Sequence, residues 1–138
     1  MTSPQDRAVR GLLDTSVFIA RESGRPIDED RLPDESAICV ITLAELHAGV
    51  LAAGDTDTRA RRLETLQAVT DMQTFPVDEA AARTWAKMRV HLAETGGRVR
   101  INDLWIAAVA AACRLPVVTQ DDDFEPVRGV AGLAVIKV

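Results

Sequence analysis

Four acidic side chains of this sequence lie where an apolar run stops or where a helix is predicted to begin. Asp14 and Asp121 each follow a short apolar run, and Glu45 and Asp103 lie near the start of predicted helices. Carboxylate oxygens suit Mg²⁺ or Mn²⁺, and no Cys or His is placed to join them. An ion held by such acids generates hydroxide from bound water and stabilises negative charge on a phosphate oxygen. If the acids meet, they predict metal-dependent hydrolysis of a phosphodiester.

The acids can meet only if the fold brings distant parts of the chain together. Strands that alternate with helices along a sequence indicate a parallel sheet with helices on both faces, an α/β fold. Residues 22–35 hold two Pro and several charges, which predicts a surface loop with a helical turn at 28–31. The predicted strands are residues 9–13, 36–41, 72–77, 116–119 and 133–138, and the predicted helices are 15–21, 42–53, 58–70, 78–94 and 102–113.

Such a sheet explains why these acids should converge. With right-handed crossovers, every parallel strand ends at one rim, every following helix begins there, and ligands bind outside that rim. Asp14 and Asp121 stand just past strand ends, whereas Glu45 and Asp103 lie in the first turn of a helix. Carboxylates crowded in this way repel one another unless a cation compensates their charge. We therefore expect the four acids to surround Mg²⁺ or Mn²⁺ at this rim.

Each acid also has an ordinary structural interpretation. Asp14 is a suitable N-cap for the helix that follows it, and Thr42 with Glu45 fits a capping box. Asn102 is a suitable N-cap, and Asp103 would then be a first-turn acid favoured by the helix dipole. The acidic triplet after the fourth strand fits a solvated turn. Four acids with purely structural roles are less expected to fall at one rim by coincidence than four acids of a functional site. An acid at the start of a helix can also cap the helix and belong to such a site.

Composition limits the class of protein. The chain of 138 residues has 47% hydrophobic and 27% charged residues, which is typical of one globular domain, and we assign residues 1–138 to it. The net charge of −5 argues against a protein that coats duplex nucleic acid, but not against a nuclease. The longest apolar run, residues 104–113, is about half of the ~20 residues that a membrane span needs.

Two further features bear on where the protein works. The polar N-terminus, residues 1–7, is unlike a signal peptide, so export is not expected. Cys39 and Cys113 lie inside apolar runs without metal-type spacing, which is typical of reduced, buried thiols. We therefore expect a cytoplasmic protein that does not enter a membrane.

Each acid belongs to a longer stretch that mixes apolar and polar residues. The stretches are Leu12-Leu13-Asp14-Thr15-Ser16-Val17, Thr42-Leu43-Ala44-Glu45-Leu46, Asn102-Asp103-Leu104-Trp105-Ile106-Ala107-Ala108 and Val118-Thr119-Gln120-Asp121-Asp122-Asp123-Phe124. Together they resemble the PIN-domain ribonucleases, and most of all the VapC toxins of bacterial toxin–antitoxin pairs, in the family's order and spacing over nearly the whole chain. The resemblance implies a three-layer α/β/α PIN domain with a parallel sheet of about five strands. It also implies an Mg²⁺- or Mn²⁺-dependent endoribonuclease that acts on RNA, is inhibited by a VapB-like antitoxin and forms a homodimer.

The resemblance also assigns roles to the acids. Asp14, Glu45 and Asp103 match the first three acids of the family, and all three are expected to be catalytic and to bind the metal. Asp121 is the first candidate for the fourth acid and Asp123 the second, with the residue between them directed away. Because Mg²⁺ often takes only one or two protein carboxylates directly, Asp14 and Asp103 form the smallest ligand set. Glu45 and Asp121 would then orient waters or hold a second ion.

Other polar residues are weaker candidates. Arg98 and Arg100 precede Asp103 and could hold substrate phosphates, although a charged loop is the equally suitable interpretation. The hydroxyl groups of Thr15, Ser16 and Thr119 could support the acids, but ordinary capping explains them equally well. We therefore leave these three residues outside the catalytic set.

Two other functions fit parts of the sequence. A phosphatase of the haloacid-dehalogenase kind also carries an acid after its first strand, but it needs a second acid two residues later, where this chain has Ser16. The other alternative is a non-catalytic PIN-like module whose acids are structural and which only binds a protein partner. Mn²⁺ binding that depends on Asp14 and Asp103 would separate an enzyme from such a module.

Overall fold

The computed structural model describes residues 7–138. This part of the chain forms five strands and five α-helices, joined in places by short 3₁₀ segments. The strands are β1 (Arg10–Leu13), β2 (Glu35–Cys39), β3 (Gln73–Phe75), β4 (Val117–Thr119) and β5 (Val135–Lys137). The helices are α1 (Thr15–Ser23), α2 (Val40–Leu51), α3 (Thr56–Ala68), α4 (Glu79–Thr95) and α5 (Ile101–Ala112).

The strands form one sheet in the order β3-β2-β1-β4-β5, and every neighbouring pair is parallel. The central strand β1 pairs with β2 and β4, so that Leu12 lies beside both Ala37 and Val117. A Cβ at Gly11 would lie 2.9 Å from Cγ2 of Val118 and 3.0 Å from Cγ of Pro33. Glycine at this position therefore lets β1 fit closely between its neighbours.

Helices cover both faces of the sheet. One core contains buried residues of α4 and α5, such as Met88 and Ile106, packed against Leu12 and Val117. The other core contains Phe18 of α1 and further buried residues from β1, β2, α2 and β4. These two cores confirm the expected three-layer α/β/α architecture with a five-stranded parallel sheet.

The predicted boundary between β2 and α2 is wrong by two residues. The sequence predicted a strand through Ile41 because this run is β-branched, but the strand ends at Cys39 and the helix begins at Val40. Cys39 is the N-cap, with φ of −90° and ψ of 150°, and its Sγ accepts a hydrogen bond from the Ile41 N–H at 3.4 Å. The helix therefore begins at the Cys39 cap in spite of the β propensity of Val40 and Ile41.

The outer strands are shorter than predicted. The third strand, predicted over residues 72–77, ends at Phe75, before Pro76, which has no N–H to donate. The last strand begins at Val135 rather than at Leu133, because Val130–Gly132 forms a 3₁₀ turn before it. Neither change alters the position of the rim that carries the acids.

Residues 1–6 lie outside the described part of the chain. The expectation about the polar N-terminal stretch therefore falls mostly outside what the structure describes, as does the start of the predicted 1–138 domain. Within residues 7–138, no helix is both long and apolar enough to cross a bilayer.

Candidate active site

Asp14 lies between the central strand and the first helix. Its N–H donates to the Val118 carbonyl at 2.8 Å, which fixes the backbone against β4. Its carboxylate accepts a hydrogen bond from the Ser16 N–H at 3.4 Å and so caps α1, as the sequence predicted. The side chain is nevertheless buried, with 4% of the residue exposed. Burial raises the pKa of Asp14, although the hydrogen bond from Ser16 acts in the opposite direction.

Thr119, at the end of β4, connects the acids of the two central strands. Its hydroxyl is buried and lies 3.1 Å from Oδ2 of Asp14 and 3.3 Å from Oδ1 of Asp121. The same oxygen lies 3.2 Å from Oγ of Ser16, and Ser16 accepts a hydrogen bond from the Gln120 N–H at 3.0 Å. Hydroxyl groups thus hold Asp14 and Asp121 at neighbouring strand ends.

Glu45 reaches the same rim from α2. The Thr15 hydroxyl donates to Oε1 of Glu45 at 2.8 Å and lies 3.2 Å from the Thr42 hydroxyl. The predicted capping box of Thr42 and Glu45 is wrong, because Cys39 caps the helix and Thr42 is a fully buried residue of its first turn. The Glu45 carboxylate is therefore bound across the rim by Thr15.

Asp103 lies in the first turn of α5, as predicted, but the predicted cap is wrong. The helix begins at Ile101, so its N-cap is Arg100, which has no side-chain capping hydrogen bond, and Asn102 is already helical. The pKa of Asp103 is raised to about 7. Burial is the largest cause, followed by the negative charges of four other acids, Asp14, Asp123, Glu45 and Asp121.

The electrostatic coupling shows that the five carboxylates share one neighbourhood. Each of the other four raises the pKa of Asp103, and the charge of Asp121 also raises the pKa of Asp14. Within residues 7–138, no three acidic, His or Cys side chains have the spacing of a preformed metal site. A metal that keeps most of its waters needs only one or two direct carboxylates. The cluster is thus an oxygen-rich, negatively charged site without a complete coordination cage.

The acidic triplet after β4 has three different environments. Asp121 accepts hydrogen bonds from the Thr119 hydroxyl and, at 3.0 Å, from the Asp123 N–H. Burial and the charge of Asp121 raise the pKa of Asp123. Asp122 instead forms an ion pair with Lys137 of β5 at 2.9 Å. The structure therefore brings both Asp121 and Asp123 near Asp103 and engages Asp122 at the edge strand.

Comparison with known proteins agrees with this geometry. Residues 11–130 match the model of the PIN domain. The chain belongs to the PIN-domain family. It is 64% identical over 128 residues to Ribonuclease VapC5 of Mycobacterium tuberculosis (strain ATCC 25618 / H37Rv), which covers 93% of this chain and 95% of the relative. It is 43% identical over 116 residues to Ribonuclease VapC4 of the same strain, over 83% of this chain and 88% of the relative.

A solved structure supports the same relationship. The crystal structure of VapBC-5 from Mycobacterium tuberculosis, a member of the VapBC family of toxin–antitoxin systems, contains a chain with 60% sequence identity and a TM-score of 0.88. The match covers 94% of this chain and 99% of that one. These comparisons confirm the resemblance to PIN-domain proteins of the VapC group that the four motifs indicated.

The two arginines predicted to contact substrate lie beside the acid cluster of this PIN domain. Arg98 and Arg100 line a cavity of about 380 Å³ together with Asp122, Asp123 and Pro126. The positive charge of Arg100 lowers the pKa of Asp123, against the effects of burial and of Asp121. Arg98 and Arg100 therefore lie beside Asp123, the second candidate for the fourth acid.

Sequence reasoning left out the hydroxyl groups that hold the acids of this PIN domain. Thr119 is buried between two carboxylates, Ser16 contacts Thr119, and Thr15 binds Glu45. The available signal was the position of these residues, since each directly adjoins an acid or lies two residues from one at the rim. Capping explained the same positions equally well, so only the side-chain contacts decide their role.

Proposed function

We propose that this PIN domain is a metal-dependent endoribonuclease, the toxin of a VapBC-type toxin–antitoxin pair. The observation that carries the proposal is the group of five carboxylates at the carboxyl rim of the sheet, in which the charges of the other four raise the pKa of Asp103. The 64% identity to Ribonuclease VapC5 supports RNA as the substrate. The expected reaction is hydrolysis of a phosphodiester bond in single-stranded or looped RNA.

The chemistry of the donors fits Mg²⁺ or Mn²⁺. All donors are carboxylate oxygens, which these hard cations prefer. Ionising Asp103 among four other acids is unfavourable, and a divalent cation would remove that cost. Asp14 and Asp103 would hold the ion, while Glu45 and Asp121, or Asp123, would orient its waters. When bound, the ion supplies a reactive hydroxide and stabilises charge on the phosphate.

The residues of this chain would orient the reactants. The Thr119 hydroxyl lies within hydrogen-bond distance of both Asp14 and Asp121, and it limits the rotation of whichever carboxylate accepts its single hydrogen. Thr15 binds Oε1 of Glu45, which leaves Oε2 to accept a hydrogen bond from water. Arg98 and Arg100 would bind phosphate oxygens, as arginines commonly do in nucleic-acid complexes.

The phosphatase alternative is not favoured by the site. A second acid two residues after Asp14 would be required, and Ser16 stands there. Its Oγ already contacts the Thr119 hydroxyl and the Gln120 N–H, so it has a supporting role beside the carboxylates. The observed set of acids therefore favours the nuclease.

Calorimetric titration with Mn²⁺ tests the metal site. The wild-type protein should bind Mn²⁺, whereas Asp14→Asn and Asp103→Asn should weaken binding by about 100-fold or more, because each removes a direct ligand. Asp30→Asn is the matched control, because it removes the same charge from an exposed acid of the Glu29–Arg31 turn. Equal binding by all four proteins would show that the acids are structural and would favour the non-catalytic module.

The partner part of the proposal rests on the VapBC relatives. We expect the chain to bind a VapB-like antitoxin, to form a homodimer and to act in the cytoplasm, where RNA is available. Expression with the antitoxin candidate from the neighbouring gene should give a complex in which RNA cleavage is suppressed. Size-exclusion chromatography with light scattering would measure the dimer, and a monomer at micromolar concentration would contradict it.

A further inference from the structure

A second cavity adjoins the acid cluster between α1, α2 and α3. Its volume is about 200 Å³, less than the roughly 300–1,000 Å³ of pockets that enclose a whole drug-sized ligand. Thr15 and Glu45 form the end nearest the acids, and Ile19 and Leu46 supply apolar wall. A space of this size and lining, continuous with the catalytic acids, suits one ring system of a substrate that extends beyond the cleaved bond.

Two side chains of opposite charge also line this cavity, Arg62 of α3 and Glu22 of α1. Arg62 is held by a hydrogen bond from Nη1 to the Gly49 carbonyl at 2.6 Å, which leaves its other N–H groups for a ligand. Guanine presents acceptors at N7 and O6, which pair with arginine, and N–H donors on its other edge, which suit a carboxylate. The polar groups of the cavity therefore match guanine on both edges.

The surface beyond the cavity carries further positive charge. A neighbouring space of about 220 Å³ shares Ile19, Glu22 and Arg62 with this cavity and extends to Arg61. Arg59, Arg61 and Arg62 donate only to uncharged oxygens, at 3.1, 3.3 and 2.6 Å. Within residues 7–138, none of the three lies within 4.0 Å of a carboxylate oxygen. Phosphate groups of a bound strand would be direct anionic partners for Arg61 and Arg62.

We propose that the groove between α1 and α3 binds the RNA strand on one side of the cleaved phosphate, with a guanine base between Arg62 and Glu22. The following phosphate then lies beside Arg61. This proposal rests on the proposed ribonuclease function and adds to it the feature that selects the cleavage site. An RNA strand is favoured over a protein segment because the groove starts at Glu45 and Thr15, beside the bond to be cut.

Mapping of cleavage sites on a pool of unstructured RNA tests the proposal. The wild-type protein should cut next to guanine in preference to other bases. Arg62→Gln should reduce this preference about fivefold or more, because a paired arginine contributes most of the discrimination at such a contact. Glu22→Gln should reduce it less, since an amide still offers one acceptor. Arg89→Gln, the same change at an exposed residue of α4, is the control and should cut at the wild-type sites.

A third variant tests whether the guanine preference needs the open volume of the cavity, rather than the charges that line it. Gly49 lines the cavity inside α2, and a Cβ there would lie 3.7 Å from Cδ of Arg62, an ordinary contact. Gly49→Leu introduces a good helix former whose side chain occupies the cavity. It should reduce the guanine preference to a similar extent as Arg62→Gln. Thermal unfolding of each variant separates loss of the cavity from loss of the fold.

The outcomes distinguish failure of the groove proposal from failure of the proposed ribonuclease function. If the wild-type protein cleaves RNA while Arg62→Gln, Glu22→Gln and Gly49→Leu all keep its site preference, the groove proposal is wrong and the ribonuclease function stands. If these variants keep the preference but bind the antitoxin more weakly, the groove is a protein site and the proposal is again wrong. If the wild-type protein, freed of antitoxin, cleaves no RNA with Mg²⁺ or Mn²⁺, both proposals fail.

Discussion

Asp14 and Asp103 both reach the rim, the first buried and the second half-buried, and the fold treats them differently. Asp14 accepts hydrogen bonds from the Ser16 N–H and the Thr119 hydroxyl, and its backbone is tied to β4. Among residues 7–138, no hydrogen bond to the Asp103 carboxylate is found, and burial, together with the negative charges around it, raises its pKa to about 7. Asp14 is thus part of the scaffold, whereas Asp103 is positioned by its helix and lacks a compensating partner.

The largest expected effect is the loss of activity when either acid is changed. Asp14→Asn and Asp103→Asn should each lower RNA cleavage by about 100-fold or more, because even residues that only support a metal ligand contribute 10- to 100-fold. Their stabilities should differ, since Asn at position 14 loses a buried charged acceptor and Asn at 103 removes a repelled charge. Cleavage of a labelled RNA and urea unfolding of the same preparations measure both. Full activity in both variants would contradict the assigned roles.

The hydroxyl that supports Asp14 should matter next most. Thr119→Val keeps the shape of the side chain but removes the hydroxyl shared by Asp14 and Asp121, so cleavage should fall about 10- to 100-fold. The buried carboxylate of Asp14 would also lose a partner, at a cost of about 1–3 kcal/mol in the free energy of unfolding. Thr119→Ser retains the hydroxyl and is the control. Equal cleavage by Val and Ser variants would show that this hydroxyl is not needed.

The pH dependence of the free energy of unfolding tests the environment of Asp103. Because the folded-state pKa of Asp103 lies at about 7, above its ordinary 3.8, folding favours its protonated form. The contribution of Asp103 to the free energy of unfolding is therefore complete below about pH 4 and is lost as the pH rises to 7. In metal-free buffer we expect a loss of about 1–3 kcal/mol in this range, reduced by solvent screening of a partly exposed group.

Comparison with Asp103→Asn isolates this effect, since the variant lacks the titrating group. Urea unfolding at several pH values between 4.5 and 8 should give a smaller fall in the free energy of unfolding for the variant than for the wild-type protein. Parallel curves would mean that the environment of Asp103 is less negative than the structure indicates. Addition of Mg²⁺ at pH 8 should restore stability to the wild-type protein alone.

The smallest effects are expected at Asp122, which directly follows an acid of the cluster. Asp122→Asn breaks only an exposed ion pair with Lys137, so the free energy of unfolding should change by about 1 kcal/mol or less. RNA cleavage should stay at the wild-type level. Asp121→Asn, one residue earlier, should lower cleavage about 10- to 100-fold because its carboxylate faces Thr119. A larger loss of cleavage in Asp122→Asn than in Asp121→Asn would mean that Asp122, and not Asp121, belongs to the acid cluster.

The gathering of the acids at one rim could be predicted from the sequence, because it depends on the topology of the sheet rather than on side-chain contacts. Alternating strands and helices predict a parallel sheet, and a parallel sheet collects strand ends and helix starts at one edge. Asp14, Glu45, Asp103 and Asp121 could therefore be brought together from their positions alone. The role of Asp14 as both cap and cluster member was also accessible, because the two roles require the same place in the chain.

The capping interpretations failed where boundaries were set by packing. Val40 and Ile41 have strand propensity, but the helix begins at Val40 with Cys39 as its cap, so Thr42 could not be its cap. The role of Thr119 also could not be derived, because a threonine before an acid is equally common in turns. Only the distance of 3.1 Å between its hydroxyl and Asp14, residues 105 positions apart, decides it.

That separation along the chain has a consequence for synthesis. β1, which carries Asp14, is complete after residue 13, but its neighbour β4 and the Thr119 hydroxyl follow more than a hundred residues later. A nascent chain that ends before residue 117 thus has Asp14 without the strand that fixes its backbone. Most of the chain must therefore leave the ribosome before the cluster can assemble, so an incomplete translation product lacks the complete site.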